Sequence, residues 1–208
     1  MAIADPSALL RPGLLEGVGV LLGGDGETGF AQAVDGACTG LGARVARVAP
    51  PDEADAEARE AATEARVGEA LAELGGARTL IVDGAGLFER SAGADGLAET
   101  LAGAWDLTRA VANRAFIPAS RGGRIVLVAP RPTAGQAHGA PAASGLENLA
   151  RTLSIEWARY AITTVALAPG PDTTTVELAA LCAWLTSPAG AYFSGCLFDL
   201  TGPRAGDS

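Results

Sequence analysis

The chain has 208 residues, of which 49% are hydrophobic and 19% charged, enough apolar material for one full core and too little charge for a disordered tract. A formal charge of −9 argues against nucleic acid or an anionic membrane as partner, since both are held by clustered Lys and Arg. All 15 basic residues are arginines, so any chemistry that needs a lysine amine is excluded.

Met1 to Ala8 carries no basic segment ahead of an apolar core, so no targeting peptide is read there and a cytoplasmic location is expected. No apolar stretch reaches the roughly 18 residues of a membrane helix. Residues 1–15 are expected to be an N-terminal extension, 203–208 a C-terminal tail, and 1–208 a single domain. In chain order, Val18 to Leu22 is a short apolar run that ends in Gly23-Gly24-Asp25-Gly26, and Phe30, Ala33, Val34, Ala37, Cys38 and Leu41 recur at helical spacing after it. Gly40 and Gly42 end that helix, Arg44 to Val48 alternates as a strand, and Pro50-Pro51 stops it.

Glu53 to Leu74 is rich in Ala and Glu, which predicts one solvated helix that meets the core near Val67, Leu71 and Leu74. Then come a strand Thr79–Val82, a helix from about Gly96 to Phe116, a strand Arg124–Val128 and a helix Ala142–Arg159. A strand Thr163–Ala168, a helix Thr175–Leu185 and a strand Cys196–Leu200 close the chain. This alternation predicts a doubly wound α/β fold, Rossmann-like and three layers deep, with a parallel sheet covered on both faces. Cys38, Cys182 and Cys196 lack C-x-x-C spacing and neighbouring histidines, so they read as buried free thiols, not as a disulfide or metal framework.

Four stretches carry a resemblance. Leu80-Ile-Val-Asp-Gly-Ala-Gly86 is similar to a strand ending in V-N-N-A-G, and Gly123-Arg-Ile-Val126 to the strand that leads to a catalytic serine. Leu146 to Ala158, followed by Val165-Ala-Leu-Ala-Pro-Gly170, is similar to the helix after a catalytic tyrosine and the strand and turn beyond it. Ala191 to Gly195 with Phe198-Asp-Leu200 is similar to a closing strand. In this order and spacing the chain resembles the short-chain dehydrogenase/reductase family, in particular its β-ketoacyl-thioester reductases, over nearly its whole length, and the resemblance implies a parallel sheet in the flavodoxin-like order 2-1-3-4-5-6, a truncation of that family's seven-stranded sheet.

The resemblance implies a tyrosine for proton transfer, a lysine four residues later that lowers its pKa and holds the ribose, and a serine that orients the carbonyl. Matching the segments puts Gly139 at the tyrosine, Ala143 at the lysine, Pro130 at the serine and Thr100 at a supporting asparagine, so all four roles are vacant. His138, the lone histidine, precedes the tyrosine position and is the one outside candidate for acid or base work; with no carboxylate near it in sequence, its small-residue loop reads first as an ordinary exposed segment. Asp83 occupies the first asparagine of V-N-N-A-G and reads as a capping aspartate.

Against the family's T-G-x-x-x-G-x-G turn, the chain has Gly23, Gly26 and Gly29, but Glu27 stands at the middle glycine. A carboxylate about 4 Å from a phosphate costs roughly 1 to 4 kcal/mol. Gly23, Gly26, Gly29 and Asp83 are therefore the residues left to hold NADP or NAD, and no cofactor is expected. Between Val48 and Thr79 there is room for one helix where the family has helix, strand and helix, and nothing after Pro169-Gly170 is long enough for a substrate-covering lid.

Three readings follow. The first is a non-catalytic subunit that pairs with an active ketoacyl-type reductase, as in the non-catalytic N-terminal domain of large actinobacterial β-ketoacyl reductases. The second is an NAD(P)-dependent oxidoreductase using other residues, and the third a module that binds a nucleotide or acyl ligand. Apolar stripes at Leu97, Leu101, Trp105, Thr108 and Ala112, and at Leu146, Leu149, Leu153 and Trp157, together with the segment Ala191–Leu200, lead to the expectation of a homo-oligomer and of a mixed complex with an active reductase.

Overall fold

The computed structural model describes residues 7, 10–24, 28–91, 93–131 and 138–202. Its strands are β1 (Gly19–Gly23), β2 (Arg44–Val48), β3 (Thr79–Asp83), β4 (Gly123–Val128), β5 (Ile162–Pro169) and β6 (Leu197–Leu200). They form one sheet in the order β2-β1-β3-β4-β5-β6, with every adjacent pair parallel. β1 and β3 are buried throughout, as unbroken apolar runs covered on both faces must be. The edge strands β2 and β6 keep exposed positions.

Helices α1 (Gly29–Gly40) and α7 (Thr175–Thr186) cover one face, where Val34, Cys38, Ala179, Cys182 and Ala183 meet Val20, Ile81 and Val165. On the other face lie α2 (Ala56–Leu74), α4 (Gly93–Val111) and α6 (Gly139–Glu156). Their Val67, Leu107 and Leu146 pack on Leu21, Leu80 and Leu127. α7 is buried nearly all round, which is why its sequence is apolar on every side. The expected fold class and strand order are those observed, and one helix does fill the span between β2 and β3.

Two features differ from the expectation. A short helix α3 (Gly84–Glu89) follows β3 at once, too short for periodicity to reveal. The helix expected as Gly96–Phe116 gives way after Val111 to a π-helical turn, Ala112–Phe116, followed by α5 (Ile117–Ala119). That widened turn delivers Phe116 into the core against Gly123, where any Cβ would lie 2.3 Å from the ring. Ahead of β1, Leu10 and Leu14 pack half-buried against the core, Leu15 is fully buried, and the Leu15 N–H donates to the Leu41 carbonyl. Among the described residues no helix is long and apolar enough to cross a membrane.

Candidate functional site

α1 and α2 leave on opposite faces, so the chain switches direction between β1 and β3, and a crevice opens outside the carboxyl ends of the strands. A cavity of about 280 Å³ lies there, lined from α1 by Phe30, from α3 by Phe88, and from the exits of β4 and β5 by Pro130, Arg131 and Pro169. Thr28 caps α1 by accepting from Ala31 N at 3.0 Å and donates its hydroxyl proton to Asp83 at 2.7 Å. Asp83 in turn caps α3, accepting from Gly86 N at 2.9 Å. Its carboxylate is thus a structural cap, as its place at a strand end suggests. Gly24 is required by geometry: φ is +143° and a Cβ would lie 2.8 Å from that of Asp83.

Of the glycines expected at a cofactor, Gly23 is a packing residue whose absent side chain makes room for Leu107. Gly29 opens α1 with free space before it. Gly26, with the neighbouring Glu27, lies outside the described residues. The exit of β2 is closed by Arg66, which donates to the carbonyls of Ala49 and Pro50, each at 3.0 Å. Asp52 just beyond pairs with Arg90 at the end of α3, latching the exits on either side of β1. Arg131 donates to the carbonyls of Gly170 and Thr173, tying β4 to the tight turn that enters α7, so the chain passes from β5 to α7 without a lid.

A second space, about 360 Å³, lies beside the first, and Pro130, Gly139 and Ala143 all line it. The structure therefore brings together three of the four positions inferred from the resemblance. The fourth, Thr100, is fully buried in α4 and donates to the Gly96 carbonyl at 2.8 Å. His138 precedes α6 without capping it, and its ring lies by Gly93 at the start of α4; it is not among the residues lining this groove.

The carboxylates that do reach the groove are engaged: Glu147 pairs with Arg151 at 2.6 Å, and Asp199 accepts from Thr201 N at 2.9 Å. Sequence reading had not singled out Thr28, Arg131 or Glu147. Only for Thr28 was there a signal, its place just before an apolar helical stripe.

Displaced pKa values lie away from both spaces. Burial, with a smaller contribution from Asp35, pushes the Cys38 thiol up to about 12, and burial drives Cys182 well above its ordinary range. Both are inert core thiols, while Cys196 is half-buried and raised by burial too. Among the described residues no cluster of three or more metal-ligating side chains occurs.

No family model and no curated protein matches the sequence. Solved structures do. A short-chain dehydrogenase from Mycobacterium smegmatis superposes with a TM-score of 0.74 at 22% identity, over 94% of this chain and 97% of that one. A short-chain dehydrogenase/reductase from Serratia marcescens gives 0.70 at 23% identity, over 89% and 96%. A citronellol catabolism dehydrogenase from Pseudomonas aeruginosa gives 0.69 at 23%, over 92% and 96%. At such identities the likeness is one of architecture, and this chain has the fold of the short-chain dehydrogenases/reductases.

Proposed function

We propose that this chain is a short-chain dehydrogenase/reductase that has lost its chemistry and serves as a non-catalytic structural or regulatory subunit of an active ketoacyl-type reductase. One observation carries the reading: Pro130, Gly139 and Ala143 converge on one groove and offer it no group that can transfer a proton. The carboxylates beside them are held in an ion pair and a turn. The tight turn after β5 supplies that groove with no covering segment of its own. A dinucleotide fits poorly, because Arg66 closes on the carbonyls of Ala49 and Pro50 at the exit of β2 and, among the described residues there, the one carboxylate, Asp52, is paired with Arg90.

The partner in this reading is an active reductase of the same fold, since a surface inherited from a common ancestor suits a copy and a relative alike. Testing it takes the purified chain with acetoacetyl thioesters and NADPH. No turnover and no dissociation constant below about 1 mM are expected, together with recovery of a complete reductase from the native host. Turnover that disappears in His138→Ala would establish the oxidoreductase reading instead. A module for a nucleotide or acyl ligand is favoured by one feature, the cavity between Phe30 and Phe88; micromolar NADPH binding without turnover would select it.

A further inference from the structure

The opposite end of the sheet, where the strands begin, carries a cluster of arginines. Arg78 precedes β3, Arg121 lies in the turn before β4, and Arg124 is the second residue of β4. All three line one space of about 160 Å³ together with Thr163 of β5. The backbone holds them close, for Arg124 N donates to the Arg78 carbonyl at 2.9 Å and Arg124 lies in register with Thr163.

The chain has 24 acidic residues, and Arg47, Arg59, Arg90, Arg109, Arg114 and Arg151 each pair with at least one. Among the described residues, none pairs with Arg78, Arg121 or Arg124. Arg124 Nη1 donates to the Thr186 carbonyl at 3.1 Å, while its Nε is buried without a partner. Burial, and then the charge of Arg78, lowers the Arg124 pKa, as expected where like charges are held together without a counter-ion. Evolutionarily cheap relief, a nearby Asp or Glu, is absent from the described surroundings in a protein rich in both.

We propose that Arg78, Arg121 and Arg124 form a binding site for a tetrahedral oxyanion, a phosphate or the phosphate group of a small ester. Guanidinium forks match such oxygens, and charge-assisted hydrogen bonds would satisfy donors that the fold leaves open. The space is open to solvent on one side and large enough to admit a phosphate. This site is separate from the crevice and stands whether or not that crevice is catalytic.

The test uses the full chain titrated with inorganic phosphate at constant ionic strength, read by calorimetry and by thermal unfolding, with glycerol 3-phosphate in a second series. Saturable binding and a rise in Tm are expected. Arg121→Gln, an exposed position whose change leaves the core alone, should weaken binding about tenfold or more, and Arg78→Gln likewise. Arg44→Gln, on the exposed start of β2 and outside the cluster, should leave it unchanged. Tighter binding of the ester identifies a phosphate carried on a larger ligand, and tighter binding of phosphate the free anion. An equal Tm rise with chloride, or phosphate affinity that survives both cluster substitutions, overturns the proposal.

Discussion

Asp83 links two elements through one carboxylate, because it caps α3 at Gly86 N and accepts from the Thr28 hydroxyl that itself caps α1. It is 1% exposed, so Asp83→Ala would leave a buried N–H and a hydroxyl without their acceptor. A loss of about 2 kcal/mol is expected, seen as a Tm lower by roughly 4–8 °C in scanning calorimetry, whereas Gly29→Ala, at a position with open space, should change little. Thr174 and Glu177 form a reciprocal box at the start of α7, and hydrogen bonds from the Thr174 backbone and then its side chain lower the Glu177 pKa. A depressed carboxylate contributes stability above its unfolded pKa and loses it as pH falls through the folded one. Wild type should therefore lose part of its stability below about pH 4.5, and a Glu177→Gln variant should show a flatter acid limb in urea titrations across that range. The cap role of Asp83 was legible from its place at a strand end; its bond to Thr28, 55 residues away, was not.

α2 reads in sequence as a solvated helix, and its charges instead form a ladder to α4. Arg59 pairs with the nearly buried Asp106 at 2.7 Å, Arg109 pairs with Glu60, and Arg114 from the following turn reaches Glu64 at 3.0 Å. Few large apolar residues on α2 touch the core, so these pairs help set how the helix lies across the layer. Removing Arg59 would leave Asp106 without its counter-charge, and breaking such a pair one-sidedly is costly. Arg59→Gln should lower stability by about 1–3 kcal/mol in urea unfolding, and Asp106→Asn in the same chain should restore part of it. Arg151→Gln, which breaks the exposed pair with Glu147 along α6, should change stability by less than about 0.5 kcal/mol.

For the molecule as a whole, part of the apolar surplus expected on α4 and α6 is spent inside the fold: Thr108, Ala112, Leu146 and Leu153 are all buried. Leu97, Leu101, Leu149 and Trp157 remain half-buried, while Trp105 is 42% and Ile155 76% exposed. Tyr192, beside the edge strand β6, is 88% exposed. Association through α4 and α6 is the expected outcome, with sedimentation at micromolar concentration giving a dimer or larger species. Trp105→Glu with Ile155→Glu should convert it to a monomer that still unfolds cooperatively, with a Tm no longer dependent on protein concentration; a wild-type monomer would count against the subunit reading.

Strand and helix positions could be read from the chain because apolar period is a local property, whereas the 2-1-3-4-5-6 order is implied by the family resemblance, as a truncation of that family's sheet, and not by period or spacing. The lack of lysine and the residue types at Pro130, Gly139 and Ala143 are likewise properties of the chain alone. Their meeting in one groove, the Arg59–Asp106 ladder and the arginine cluster of Arg78, Arg121 and Arg124 depend on how whole layers pack, and periodicity carries no information about that. The same holds for α3 and the π-helical turn. α3 is a six-residue helix secured by the Asp83 cap, and the turn accompanies the seating of Phe116 against Gly123, so both arise from contacts made only once the sheet has formed.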